Sequence, residues 1–291
     1  MKPAPFQYHR PGNLEELCDL LNAFDNAKIL AGGQSLVPML NMRFAQPDHI
    51  IDINRIPDLS EIRLDDDYLE IGALTRQADV IASPLVARSA PLLAEALHHT
   101  GHMQTRSRGT IGGSLCHLDP AAETPACMLA LDATLVVRNA EGERLVEIED
   151  WFLGYLTPNI EPNEVLCAIR VKPWHRGHGY AFLEFARRRG DFALASAACL
   201  LTAGQDGAFD RVRLIVSGLD TRPVRCVEAE SLLIGRKADD ALFETAAATV
   251  HSFDVLEDAY GDAAYRQRLA ATLVVRALKQ ASEQLLAGGH D

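Results

Sequence analysis

The sequence predicts an α+β chain of two or three compact units, and three observations point there. Its 291 residues exceed what one small domain needs. Short strand-like runs and helical periodicities are interleaved through roughly the first 175 residues. Beyond a proline- and glycine-punctuated connection at residues 172–179, KPWHRGHG, strand-like runs come first and helices last, as in an α+β domain. The expected division is residues 1–175 and 176–291.

Asn13 with Glu16 forms a helix-start signature, and Leu14, Leu17, Leu20, Leu21 and Phe24 recur at helical spacing. Strand-like runs follow near residues 28–31, 50–53 and 69–74. Pro57-Asp58 interrupts between the second and third, so a seam is expected between subdomains of about 1–56 and 57–175. Pro91 opens a helix closed near Gly101, and Asp119-Pro120 reads as the N-cap and first residue of a helix through Leu131. Strands are expected at residues 135–138, 145–148 and 165–171. After the connection come three strands, at 180–189, 193–203 and 212–219, and then helices around 226–234, 239–252 and 262–286.

Composition excludes several classes of function. Apolar residues make up 48% and charged residues 23%, ordinary values for a chain with a real core. A net charge of -12 lacks the basic footprint that nucleic acid or an anionic membrane requires. No apolar run approaches the roughly 18–20 residues of a membrane span, and the opening MKPAPFQYHR lacks a signal-peptide core. A cytoplasmic location is expected. Cys18, Cys116, Cys127, Cys167, Cys199 and Cys226 are dispersed, with none of the spacings of a zinc or iron–sulfur site, and read as reduced, mostly buried thiols.

Two double-glycine stretches carry the chemistry: AGGQSL at residues 31–36 and GTIGGS at 109–114. Neither is a dinucleotide or P-loop fingerprint. A glycine turn adopts positive φ and brings amides close to a ligand with no Cβ in the way. Successive amides in such a turn make an anion-binding concavity. Two such turns, bordered by the hydroxyls of Ser35, Thr110 and Ser114 and holding no lysine, suit a diphosphate gripped by dipoles. The residues alone reach a phosphate-containing ligand, such as a nucleotide cofactor.

The stretches KILAGGQSLVPMLNMRFAQPDHIIDIN and RSRGTIGGSLCHLDPAAETPACMLALDA, with GYAFLEFARRRGDFALASAA at 179–198, resemble the FAD-binding medium subunits of molybdenum hydroxylases, the carbon monoxide dehydrogenase and xanthine dehydrogenase-like flavoproteins. The resemblance runs from about Pro3 to the C-terminus. It implies a two-subdomain FAD-binding domain of the vanillyl-alcohol-oxidase/PCMH type over residues 1–175, then a carbon monoxide dehydrogenase flavoprotein C-terminal-like domain with a three-stranded antiparallel sheet and helices. It also implies FAD wrapped at its diphosphate by the first loop, Ile29, Leu30, Ala31, Gly32, Gly33, Gln34, Ser35 and Leu36. The second loop, Thr110, Ile111, Gly112, Gly113 and Ser114, would meet the same diphosphate and its ribityl side. Glu123 would face the adenosine ribose, Thr100 would touch the cofactor, and Leu166 and Glu184 would lie near the isoalloxazine. Ser114 stands where some relatives have asparagine and keeps a donor.

The same resemblance implies partners: a large molybdenum-cofactor subunit and a small subunit with two 2Fe–2S clusters, assembled as a dimer of heterotrimers. The flavin would hand electrons to an external acceptor. With no catalytic nucleophile, carboxylate pair or metal triad in view, catalytic side chains are expected to be none, the flavin supplying the chemistry. The alternative is a free-standing FAD-dependent oxidoreductase of the same superfamily fold. His98-His99 and His102 read as helix-end or solvent residues, and Arg187-Arg188-Arg189 as alternating strand residues, one of them paired with Asp191.

Overall fold

The computed structural model describes residues 2–175 and 177–288; Arg176, inside the expected connection, lies outside the described residues. Three main sheets carry the chain. In the first, Gln7–His9 and Ala27–Leu30 flank His49–Asp52, all parallel. The helix Leu14–Ala23 starts where Asn13 and Glu16 predict. Asn13 Oδ1 accepts from the Glu16 amide at 2.9 Å, and Glu16 Oε2 accepts from the Gly12 amide at 2.7 Å. Its buried face, Leu17, Cys18 and Leu21, joins Ile51 and Ile53 in a small core that also takes Val165 and Cys167 from the second sheet.

That second sheet is antiparallel, in the order Ile62–Asp65, Tyr68–Gly72, Val165–Val171, Thr134–Arg138, Glu143–Glu147. Val165–Val171 is central and buried at every position but Arg170, which is why the rest of its sequence is apolar. The edge strand Glu143–Glu147 buries only Val146; Glu143, Arg144 and Glu147 charge it, and Leu145 is exposed.

The third sheet is antiparallel as well: Gly179–Phe185, Ala195–Ala203, Phe209–Ser217 and Val224–Arg225. It has four strands where three are expected, because Val224–Arg225 is a two-residue strand too short to leave a periodic signal. Alternation along Ala195–Ala203 sends Ala197, Cys199 and Leu201 against the helices Val227–Leu233, Asp240–Ala248 and Ala263–Gly288. Ala198 and Leu200 face the other way, into a core shared with the second sheet and the helices Pro91–Leu97 and Glu123–Ala130. Both parts of the chain therefore close one core. The long C-terminal helix lies so close to this sheet that a Cβ on Gly179 would sit 1.9 Å from the Ala281 carbonyl oxygen.

Two local expectations are corrected. The helix expected from Asp119-Pro120 begins at Glu123, with Ala122 as its N-cap. Asp119 spends its carboxylate on the Ala121 amide at 2.9 Å, a turn bond rather than a helix cap. The strand expected through residue 189 ends at Phe185, so the three arginines lie in a turn. Arg187 sits over the Tyr260 ring, 3.9 Å from its centroid, and the Asp191 amide donates to Arg188 O at 3.1 Å, a turn bond in place of the expected ion pair.

Candidate functional site

The fold brings the two glycine stretches into direct contact. A Cβ on Gly32 would lie 2.3 Å from the Arg108 carbonyl oxygen and 2.9 Å from Gly109 Cα, so only glycine lets these backbones meet. The first loop leaves the strand Ala27–Leu30, turns through Gly33 at φ 72°, and enters the helix Leu36–Asn41. Among the described residues no acceptor meets the amides of Gly32, Gly33, Gln34, Ser35 or Leu36. Gln34 donates its side-chain amide back to Gly32 O at 3.1 Å. Five consecutive unclaimed N–H groups around one left-handed residue give the loop the form of an anion-binding concavity.

The other stretch is built differently, and the expectation of a positive-φ turn is corrected. Residues 111–113 open the seven-residue helix Ile111–His117. Its first four amides, normally without partners, are all taken: Ile111 N by Thr75 O, Gly112 N by Ala73 O, Gly113 N by Thr110 Oγ1, and Ser114 N by Thr110 O, at 2.9–3.1 Å. Gly112 is glycine because a Cβ there would stand 2.5 Å from that of Ala73. This loop therefore presents side chains rather than amides. Thr110 Oγ1 accepts from Gly113 and keeps its own proton to donate, and Ser114 is half-buried with its hydroxyl unclaimed among the described residues.

Sequence reasoning missed the residues that tie the loops together. Asn54 Nδ2 donates to Ala31 O at 2.8 Å and to Asp52 Oδ1 at 2.6 Å. Arg76 donates to Asn54 Oδ1 at 2.5 Å and to Arg108 O at 2.6 Å. Asn54 closes the first stretch that carries the resemblance, but nothing there marks its role, and Arg76 lies outside every quoted stretch. They also line a cleft of about 340 Å³ together with Arg55, Ser60 and Asp79.

A second group gathers Thr100, Glu123 and Glu184, three positions far apart in sequence. Glu184, on the strand Gly179–Phe185, approaches His99 Nδ1 at 3.5 Å with one carboxylate oxygen, while its Oε2 is buried without a partner. His99, expected at a solvent-facing helix end, is thus the base of this group, and the hydrogen bond to Glu184 raises its pKa against the opposing effect of burial. Thr100 Oγ1 is buried and makes no hydrogen bond of ordinary geometry, although it lies close enough to favour the charged form of Glu123. Glu123 opens the helix Glu123–Ala130. Burial pushes its carboxyl up to about 7, and the Glu184 charge adds to the rise. Leu166 stands apart: its side chain is in the main core, and at the bulge between Leu166 and Ala168 it has only main chain to offer a ligand.

The arrangement fits a diphosphate-bearing cofactor. The first loop supplies unclaimed amides, the second supplies hydroxyls, and two buried oxygens without partners, Thr100 Oγ1 and Glu184 Oε2, stand in a polar group elsewhere. Comparison with known proteins agrees. The family described as the FAD binding domain in molybdopterin dehydrogenase matches residues 4–174, and the CO dehydrogenase flavoprotein C-terminal domain matches residues 180–281. The alpha subunit of the 6-hydroxypseudooxynicotine dehydrogenase complex of Paenarthrobacter nicotinovorans is 40% identical, over 97% of this chain and 96% of its own. The carbon monoxide dehydrogenase medium chain of Hydrogenophaga pseudoflava is 38% identical over 97% and 98%. A solved structure of the carbon monoxide dehydrogenase from that organism superposes with a TM-score of 0.95, covering 98% of this chain and 99% of that one at 38% identity. A full-length match in both domains leaves one assignment: the chain belongs to the FAD-binding flavoprotein subunits of molybdenum-containing dehydrogenases.

Proposed function

We propose that this chain is the electron outlet of a three-component molybdenum hydroxylase. It would receive electrons from the 2Fe–2S clusters of a small subunit, fed in turn by the molybdenum cofactor of a large subunit, and pass them to an external acceptor. FAD, when bound, supplies the reversible one- and two-electron exchange this needs. The observation that carries the reading is the run of unclaimed amides from Gly32 to Leu36, pressed against the second loop.

In this reading the first loop, with Ile29, Leu30 and Ala31 leading into it, binds the diphosphate through main chain. Thr110 and Ser114 add hydroxyl donors, while Ile111 and Gly112 hold the helix in place through Thr75 and Ala73, and Gly113 through the Thr110 hydroxyl. Glu123 accepts from the ribose, with Thr100 beside it. Glu184, held by His99, and the main chain of Leu166 lie toward the isoalloxazine. Five of the six cysteines are buried, and among the described residues no group of three or more His, Cys, Asp or Glu is placed to hold a metal ion. This supports clusters carried by partner chains. Among the described residues no helix is long and apolar enough to cross a membrane. The working assembly is a cytoplasmic dimer of heterotrimers.

Purification of the tagged chain from its native host tests the reading. The expected result is co-purification with a molybdenum-bearing large chain and an iron–sulfur small chain. A panel of carbon monoxide, aldehydes and N-heteroaromatics should bleach the flavin of the complex and leave that of the isolated chain oxidised. An isolated chain that bleaches its own flavin with one of these donors would contradict the electron-outlet role.

A further inference from the structure

We propose that Arg76 is a positioning residue that sets the spacing of the two glycine loops, and through it the affinity for the cofactor diphosphate, without touching the cofactor. The proposal rests on the reading that FAD binds across these loops. Its guanidinium spans the joint: one nitrogen donates to Arg108 O at 2.6 Å and the other to Asn54 Oδ1 at 2.5 Å. Asn54 in turn holds Ala31 O, at the mouth of the first loop, at 2.8 Å. Arg108 O is also the atom that a Cβ on Gly32 would strike, so Arg76 clamps the carbonyl on which the first loop rests. The Arg76 backbone contributes too, forming a bridge with Thr110, while the next amide, Gln77 N, donates to Gly109 O at 2.9 Å.

The far end of the chain of contacts is anchored. Asp52 Oδ1 accepts from both the backbone and side-chain nitrogens of Asn54, at 2.9 and 2.6 Å, and Asp52 Oδ2 accepts from the Tyr8 hydroxyl. The path from Tyr8 to Arg108 thus crosses from the first sheet to the second loop through hydrogen bonds alone. The arginine fork reaches two separated acceptors in fixed directions; lysine carries its three donors on one compact, rotatable centre.

The test uses the full-length apoprotein, titrated with FAD and separately with ADP, which carries the diphosphate but no flavin. Arg76→Met removes both bonds and should weaken FAD and ADP by the same factor, roughly tenfold or more. Arg76→Lys should recover only part of that loss. Asn54→Leu breaks the same path, so the double variant Asn54→Leu/Arg76→Met should be no weaker than the worse single one. Titrations at a temperature well below each variant's melting midpoint separate affinity from stability, and Arg76→Lys keeps the test open if Arg76→Met does not fold. Arg76→Met and Arg76→Lys with FAD and ADP affinities within twofold of the parent would overturn the proposal, whatever their melting temperatures. A parent chain that takes up no FAD would overturn the reading beneath it, and the spacing role with it.

Discussion

Replacing Gly32 with alanine should yield a folded protein that retains almost no flavin. The added Cβ would stand 2.3 Å from the Arg108 oxygen and 2.9 Å from the Arg108 carbonyl carbon, and these are backbone atoms that cannot rotate away. The loops must part, and a diphosphate gripped from both sides loses one of them. The cores lie elsewhere, since none of the residues 32–36 or 108–110 belongs to a buried apolar cluster. The fold should therefore survive with at most a few kcal/mol lost. Gly33→Ala is the useful contrast. Its φ of 72° makes the substitution strained, by about 1–2 kcal/mol, but its nearest neighbours are the flexible ends of Leu30 and Val37 at 3.1 Å. It should weaken FAD without eliminating it. The flavin-to-protein ratio of the purified variants decides the matter, and a stoichiometric flavin in Gly32→Ala would refute the two-sided grip.

The other large effect is on pH dependence and is carried by Glu123. Its folded carboxyl is raised from 4.5 to about 7, by burial first and by the Glu184 charge next. Between these two values the native chain holds a proton that the unfolded chain has released. Stability therefore falls as pH rises from about 4.5 to 7, and the loss is complete above 7. At about 1.4 kcal/mol for each unit of displacement, its upper size is about 3 kcal/mol. His99 acts in the same direction. Its pKa is raised chiefly by the Glu184 hydrogen bond, so its contribution is present below 6.5 and lost as pH rises through the higher folded value. Glu123→Gln keeps the shape and removes the proton. The apoprotein variant should melt higher than the parent above pH 7 and near it at pH 4.5, with a small opposing loss because Glu123 also supports the charge on His99. Urea midpoints across this range measure the difference, and parallel parent and variant curves would show that Glu123 is not the group responsible.

Much of the fold and the site is legible in the residues, and the exceptions have physical causes. Asn13 and Glu16 announce their helix because an N-cap, with Glu16 reaching back to the Gly12 amide, is local chemistry. The AGGQSL loop is legible for the same reason: Gly33 turns as the glycine pair suggests. The GTIGGS stretch has a similar pattern but folds as a helix, because its amides find Ala73 and Thr75, carbonyls some forty residues away that no local pattern reveals. Asp119 ahead of proline has the form of a cap, yet its carboxylate closes a turn and the helix waits until Glu123. Thr100, Glu123 and Glu184 come together only through tertiary packing, so family resemblance could pick them out where spacing could not. His99 gives no local sign of its role because its partner, Glu184, lies on a strand of the other domain. Asn54, at the end of the first resemblance stretch, and Arg76, outside it, carry no local sign of their roles, being single polar residues whose meaning is the carbonyls they reach.

The central claim is that the cofactor diphosphate is held by the main chain of the first loop and by side chains of the second. Amide chemical shifts of the isotopically labelled apoprotein, recorded while ADP is added to saturation, test it most directly. The account predicts large downfield shifts at Gly32, Gly33, Gln34, Ser35 and Leu36, whose N–H groups gain a charged acceptor. It predicts small ones at Ile111, Gly112 and Gly113, whose N–H groups are already bound inside the protein. Saturation of the site with residues 32–36 unmoved, or with the shifts concentrated at residues 111–113, would contradict it.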